Sequence, residues 1–239
     1  MDDKNEKIPN YIVPIYQFGK FIGSGFIVDD TLFTAQHVGL GANQCGQEIC
    51  TLVNGKQYSL LPFMALFSYG DIDTMAFRLA NKDFESPLQF ADIEPVYDCG
   101  KGNPILYQSK HFQPIDGGRF MYRETDCLVK GETPNKKWRF NGFNVDHTVG
   151  GASGSPLIKD NLVYGMLVSG LGITEENAEL EKKEIMEVCG LTEEQAEMHI
   201  KTMCLTNTYV KGCIIKQAYE RDLKNNPEKK ILPISEMFA

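Results

Sequence analysis

Residues 23–39 read GSGFIVDDTLFTAQHVG, and this stretch decides the fold. β-Branched and aromatic residues crowd both sides of Asp29 and Asp30. That composition suits a half-buried pleated strand, and the aspartates are turn residues. The run ends at His37, with Gly39 and Gly41 just beyond. A histidine therefore stands where a strand opens into a loop.

Outward from that stretch the pattern repeats. YIVPIYQF, QYSLLPFMALF, DTMAFRLA, PILYQSK, FMYRETDCLV and LVYGMLVSG are rich in β-branched and aromatic residues, with Gly, Asn, Asp and Pro between them. Many short strands separated by turn signals predict an all-β antiparallel barrel or sandwich over residues 8–170. Strand–helix alternation is missing, which argues against a parallel α/β sheet. No repeat of fixed period is present.

The pattern changes near Thr174. TEENAELEKKEIMEVCG has acids at its start and Gly190 at its end, which suits a helix. LTEEQAEMHIKTMC follows, and Thr192 with Gln195 has the spacing of a capping box. The two segments predict a helical hairpin. Strand character returns at LTNTYV, and a last helix is expected over Cys213–Leu223, docking through Ile215, Ala218 and Tyr219.

Composition bounds the function. The chain has 239 residues, with 24 lysines and arginines against 32 acids and a net charge of −8. Phosphate would be repelled over most of such a surface, so no nucleic-acid partner is expected. Lys136, Lys137 and Arg139 around Trp138 read as a solvated hairpin tip. The N-terminal MDDKNEKIPN lacks the apolar centre of a signal peptide, and no run reaches the roughly 20 apolar residues of a membrane span. Seven scattered cysteines form no framework, which predicts reduced thiols and a cytoplasmic protein. Cys45 and Cys50 lack a second ligand pair, so no metal is expected.

The chemistry concentrates at GGASGSPLI, residues 150–158. Bare glycines flank Ser153, so the amides of Gly151 and Ser153 can converge on one developing oxyanion. A serine nucleophile needs a base, and His37 is the candidate. The base needs an orienting acid at the edge of the core. Asp73, followed by an apolar strand, fits that role, and spacing alone leaves Asp71 open. His111 and His199 read as surface or core residues.

These segments resemble those of trypsin-like serine peptidases. TAQHV is similar to the family's TAAHC, DTMAF to its Asp-Ile-Ala-Leu, and GASGSP to its Gly-Asp-Ser-Gly-Gly-Pro. GSGFIVDDTLFTAQH resembles the strand leading to the family's histidine, and LVYGMLVSG the strand lining its substrate groove. The resemblance covers roughly residues 10–170, the closing strand and the last helix, in the order His37, Asp73, Ser153. It implies two antiparallel six-stranded β-barrels of the chymotrypsin type. The first would span 8–90. The second would span 104–226, with the helical insertion at 174–204 and the C-terminal helix, before a tail over 227–239. It also implies a catalytic triad of Ser153 as nucleophile, His37 as base and Asp73 as its orienting group. Gly151 and Ser153 would form the oxyanion hole. The substrate would be a protein or peptide, cleaved without a cofactor. A catalytically silent binding module, or an esterase, on the same residues is the alternative.

Several positions depart from the family pattern. Val38 replaces a cysteine common in secreted members. Ala152 replaces the aspartate that pairs with a newly cut N-terminus in zymogens, so activation of that kind is not expected. The insertion borders the implied specificity pocket, as a lid or as the docking surface of a regulatory partner. The pocket itself would draw on His147 and Thr148, and on Val168, Ser169 and Gly170. No acid lies among them, which disfavours lysine or arginine as the recognised side chain. His147 would suit an acidic or amide side chain, or serve only the core, and Leu167 weakens the acidic preference.

Overall fold

The structure is a computed structural model that describes residues 11–40, 49–53, 56–60, 65–79, 86–92, 105–111, 120–133, 136–144, 151–170 and 178–227. Two seven-stranded sheets carry the molecule. The first contains β1 (Ile12–Gln17), β2 (Lys20–Val28), β3 (Thr31–Ala35), β4 (Ile49–Val53), β5 (Lys56–Ser59), β6 (Ala65–Tyr69) and β7 (Thr74–Arg78). Their order is β5-β4-β1-β2-β3-β7-β6. The second contains β8 (Gln89–Phe90), β9 (Ile105–His111), β10 (Phe120–Thr133), β11 (Lys136–Asn144), β12 (Pro156–Lys159), β13 (Leu162–Gly170) and β14 (Thr206–Lys211).

The two sheets close differently. In the second, β12 pairs with both β9 and β13, so β12-β9-β10-β11-β14-β13 makes a closed ring of six antiparallel strands. β8 adds to β13 in parallel. The first is a curled sheet of seven antiparallel strands whose ends, β5 and β6, are not joined among the described residues. The all-β architecture is as expected, and the count of six is corrected to seven here. Residues 57–67 were expected as one run but contribute to two strands, β5 and β6. Pro62 lies between them and lacks the amide that a strand interior uses.

Local chemistry accounts for the hairpins. Phe26 on β2 faces Phe33 on β3, and their rings stack at 5.8 Å. Between these strands the chain reverses at Asp29 and Asp30, with Asp29 at φ 53°. Aspartate tolerates that left-handed conformation better than most residues. Ile12, Ile15, Leu32, Met75 and Phe77 fill the same core and are at most 1% exposed. A second cluster inside the closed barrel joins Phe140, Ala152, Leu157, Leu167 and Tyr209.

The three longer helices follow the sequence reading, while a short helix stands where a loop was expected after the histidine strand. α1 is a short helix at Gln36–Leu40; α2 spans Ala178–Cys189, α3 Glu193–Leu205 and α4 Gly212–Asn225. The capping box at the start of α3 is reciprocal. The Thr192 amide donates to Gln195 Oε1, and the Gln195 amide donates to Thr192 Oγ1. Lys182 ties α2 to α3 through Glu193 and Glu197, at 3.2 and 3.4 Å, and pairs with Glu179 on its own helix at 3.0 Å. α4 packs back on the first sheet. Tyr219 meets the rings of Phe33 and Phe67, and its hydroxyl lies 2.7 Å from Thr31 Oγ1. The expected hairpin tip is the start of β11: Lys137 is exposed while Trp138 packs against the main core. Among the described residues no helix is long and apolar enough to cross a membrane.

Candidate active site

Sheet register brings the first two site residues together. β3 pairs with β7 so that Ala35 opposes Thr74. The ladder continues one step further, where the Gln36 amide donates to the Asp73 carbonyl at 3.0 Å. His37 follows directly, in the first turn of α1. Its amide, one of the orphan donors of a helix start, donates to Asp73 Oδ1 at 3.0 Å. Its Nδ1 lies 2.8 Å from Asp73 Oδ2.

Both carboxylate oxygens thus hold one histidine. An ionised carboxylate only accepts, so beside an ionised Asp73 a neutral His37 ring carries its proton on Nδ1 and leaves Nε2 as the acceptor. The imidazole is about half exposed, at 49%, against 20% for Asp73. Asp73 reaches this pose from an unusual backbone, φ 49° and ψ 49°, at the end of a single 3-10 turn over Gly70–Ile72. Asp71 lies in that turn and is exposed, so it does not share the direction of Asp73 as a strand would require.

Ser153 arrives from the other sheet. Its turn leads into β12, with Gly151 at φ 85° and Gly154 at φ 86°. A Cβ at Gly154 would fall 2.0 Å from the Ser24 carbonyl oxygen, so only glycine permits this approach. Three carbonyls of the turn have named donors. Ser24 Oγ donates to Gly151 O at 3.0 Å, the Ser155 amide to Ala152 O at 2.9 Å, and the Ser24 amide to Ser153 O at 2.9 Å. Because the Ala152–Ser153 peptide is trans, the Ser153 N–H points away from the bonded Ala152 carbonyl. No acceptor among the described residues takes that N–H. Ser24 lies on β2, beside β3, and Thr34 Oγ1 donates to the Ser24 carbonyl at 2.7 Å. One strand residue thus links the Ser153 turn to β3, the strand that leads to His37.

No protein-family model matches the sequence, and no curated protein does. Solved structures do match. Kallikrein-related peptidase 10 has a TM-score of 0.55 at 14% identity, over 92% of this chain and 98% of its own. Neuropsin, a serine protease of mouse brain, has 0.54 at 15%, over 90% and 96%. Rv3671c from M. tuberculosis has 0.53 at 15%, over 89% and 86%.

This is the chymotrypsin fold.

On that fold the remaining expected residues sort as follows. His147 and Thr148 lie outside the described residues. Val168 is buried, and the β13–β14 register slips between Leu167 and Ser169, leaving Val168 at an irregularity. Ser169 is exposed, and Gly170 closes β13. Ala152 turns its methyl into the apolar cluster of the closed barrel, a setting hostile to the aspartate of zymogens. Sequence reading gave no role to Ser24 or Thr34. The signal was available in GSG: small residues inside a strand mark a close approach by another backbone.

Proposed function

We propose that the chain is a serine endopeptidase. The supporting observation is the His37–Asp73 pair, which holds the imidazole in the tautomer a base requires. Ser153 Oγ attacks the carbonyl carbon of a peptide bond and passes its proton to His37 Nε2. The resulting oxyanion is met by the amides of Gly151 and Ser153. Collapse expels the amine, which takes the proton back from His37, and leaves an acyl ester on Ser153. Water then gives a proton to His37 and attacks the ester, and on collapse His37 returns that proton to Ser153 Oγ as the acid is released. Asp73 keeps the ring oriented and stabilises its cationic form throughout. The reaction uses no metal or cofactor, and the setting we propose is cytosolic. Val168, Ser169 and Gly170 would form one wall of the specificity pocket, opposite His147 and Thr148, with the helical insertion as a lid or partner surface beside it.

A fluorophosphonate probe tests this directly. The expected outcome is a single adduct on Ser153, absent from Ser153→Ala and reduced about a thousandfold or more in His37→Ala. Equal labelling of wild type and His37→Ala, or an adduct elsewhere, overturns the reading. A peptide library on the active protein then separates endopeptidase from esterase.

A further inference from the structure

We propose that the Ser24 hydroxyl is a clamp that positions the nucleophile turn across the junction of the two sheets. The proposal rests on the peptidase reading above. Ser24 is fully buried, and the strand runs on through Phe26, Ile27 and Val28. A hydroxyl in such surroundings is costly unless bonded, and this one is bonded to Gly151 O, 127 residues away in sequence.

The geometry explains what the bond controls. Gly151 has no side chain, so its ψ is restrained only by what its carbonyl touches. That carbonyl belongs to the peptide entering Ala152. If it swings, the next peptide swings with it, and that peptide carries the Ser153 N–H. The Ser24 amide secures the far end of the same turn at Ser153 O. With the Ser24 amide alone, the turn is tied to β2 only after the nucleophile; before it, the turn is held only within itself, by the Ser155 amide on Ala152 O. With the hydroxyl as well, it is held on both sides. The Thr34 bond to the Ser24 carbonyl couples this clamp to β3, and so to His37.

The test compares Ser24→Ala with wild type, and Ser24→Thr with Ser24→Val, a pair of matched shape that differs in the hydroxyl. The readouts are the saturating rate and half-saturation concentration of fluorophosphonate labelling, and thermal stability. The expected result for Ser24→Ala is a saturating rate lower by about tenfold or more, with little change in half-saturation. Ser24→Thr should keep most of the rate and Ser24→Val should lose it, at similar Tm. Should the alanine variant not fold, the threonine–valine pair decides. Equal rates within that pair, or a wild-type rate in folded Ser24→Ala, overturn the clamp while leaving the peptidase reading intact. A wild-type protein that labels nowhere overturns both.

Discussion

The two halves of the candidate site are assembled by different physics. His37 and Asp73 belong to neighbouring strands of one sheet, and the β3–β7 ladder delivers them to each other. Ser153 belongs to the other sheet and is placed by contacts between sheets: the Ser24 bonds, and the absence of a Cβ on Gly154. Register in a sheet is hard to lose, because a slip of one residue would turn every side chain to the wrong face. A junction between sheets rests on a few close approaches. The acid–base pair should therefore survive perturbations that displace the nucleophile.

The largest effect should come from within the register-built half without disturbing its shape. Asp73→Asn keeps the size of the side chain but offers a donor where His37 needs an acceptor. Turnover on a peptide substrate should fall by about ten-thousandfold, with Tm little changed. A small loss of turnover would mean that the pair does not orient the base.

Next comes the junction. Gly154→Ala puts a Cβ 2.0 Å from the Ser24 carbonyl oxygen and 2.6 Å from Thr34 Oγ1, at a backbone of φ 86°. The strain at that φ alone is about 1–3 kcal/mol, and the clash must be relieved by moving the turn. Labelling of Ser153 should drop by about a hundredfold, a loss typical of angstrom-scale misplacement. The imidazole proton resonance of His37 should keep its bonded position beside Asp73. Loss of both signals together would show that the halves are not independent.

The smallest effect should lie in the hairpin. Lys182 is held by Glu179 first, then Glu193 and Glu197, and these bonds raise its pKa. A raised cation stabilises the fold below the ordinary lysine value, and loses that contribution only as pH climbs through the folded value. Its contribution is thus fully present at neutral pH. The three glutamates are mostly exposed, so it is modest and screened by salt. Lys182→Met should lower Tm slightly at low salt and not at about 1 M salt, where the Debye length is near 3 Å. The labelling rate should stay within about twofold, as expected for ion pairs whose carboxylates are solvated. A large change in rate would tie the hairpin to the site.

Much of the fold was legible because its signals are local. The Thr192–Gln195 capping box and the stop at Gly190 appear as read, with the Gly190 amide bonded to Met186 O. The strands of 12–17, 74–78 and 162–170 match their apolar runs, while β2 begins at Lys20, upstream of the run read for it. β4 and β11 were missed, since Ile49–Val53 is short and Lys136–Asn144 mixes charge with aromatics. α1 was missed because His37 was expected in a loop. Its start is capped by Asp73, a residue 36 positions away, which no local pattern reveals.

By itself, the sequence determined which residue types stand ready for chemistry: a histidine at a strand end, an aspartate before an apolar strand, a serine among glycines. These depend on neighbours along the chain. Only the tertiary structure put Asp73 rather than Asp71 against His37, gave Ser24 and Thr34 their places, and showed one barrel closed and the other sheet open among the described residues. Those outcomes turn on left-handed backbones and on long-range hydrogen bonds, such as that from Ser24 to Gly151 across 127 residues, whose geometry exists only once the strands have paired.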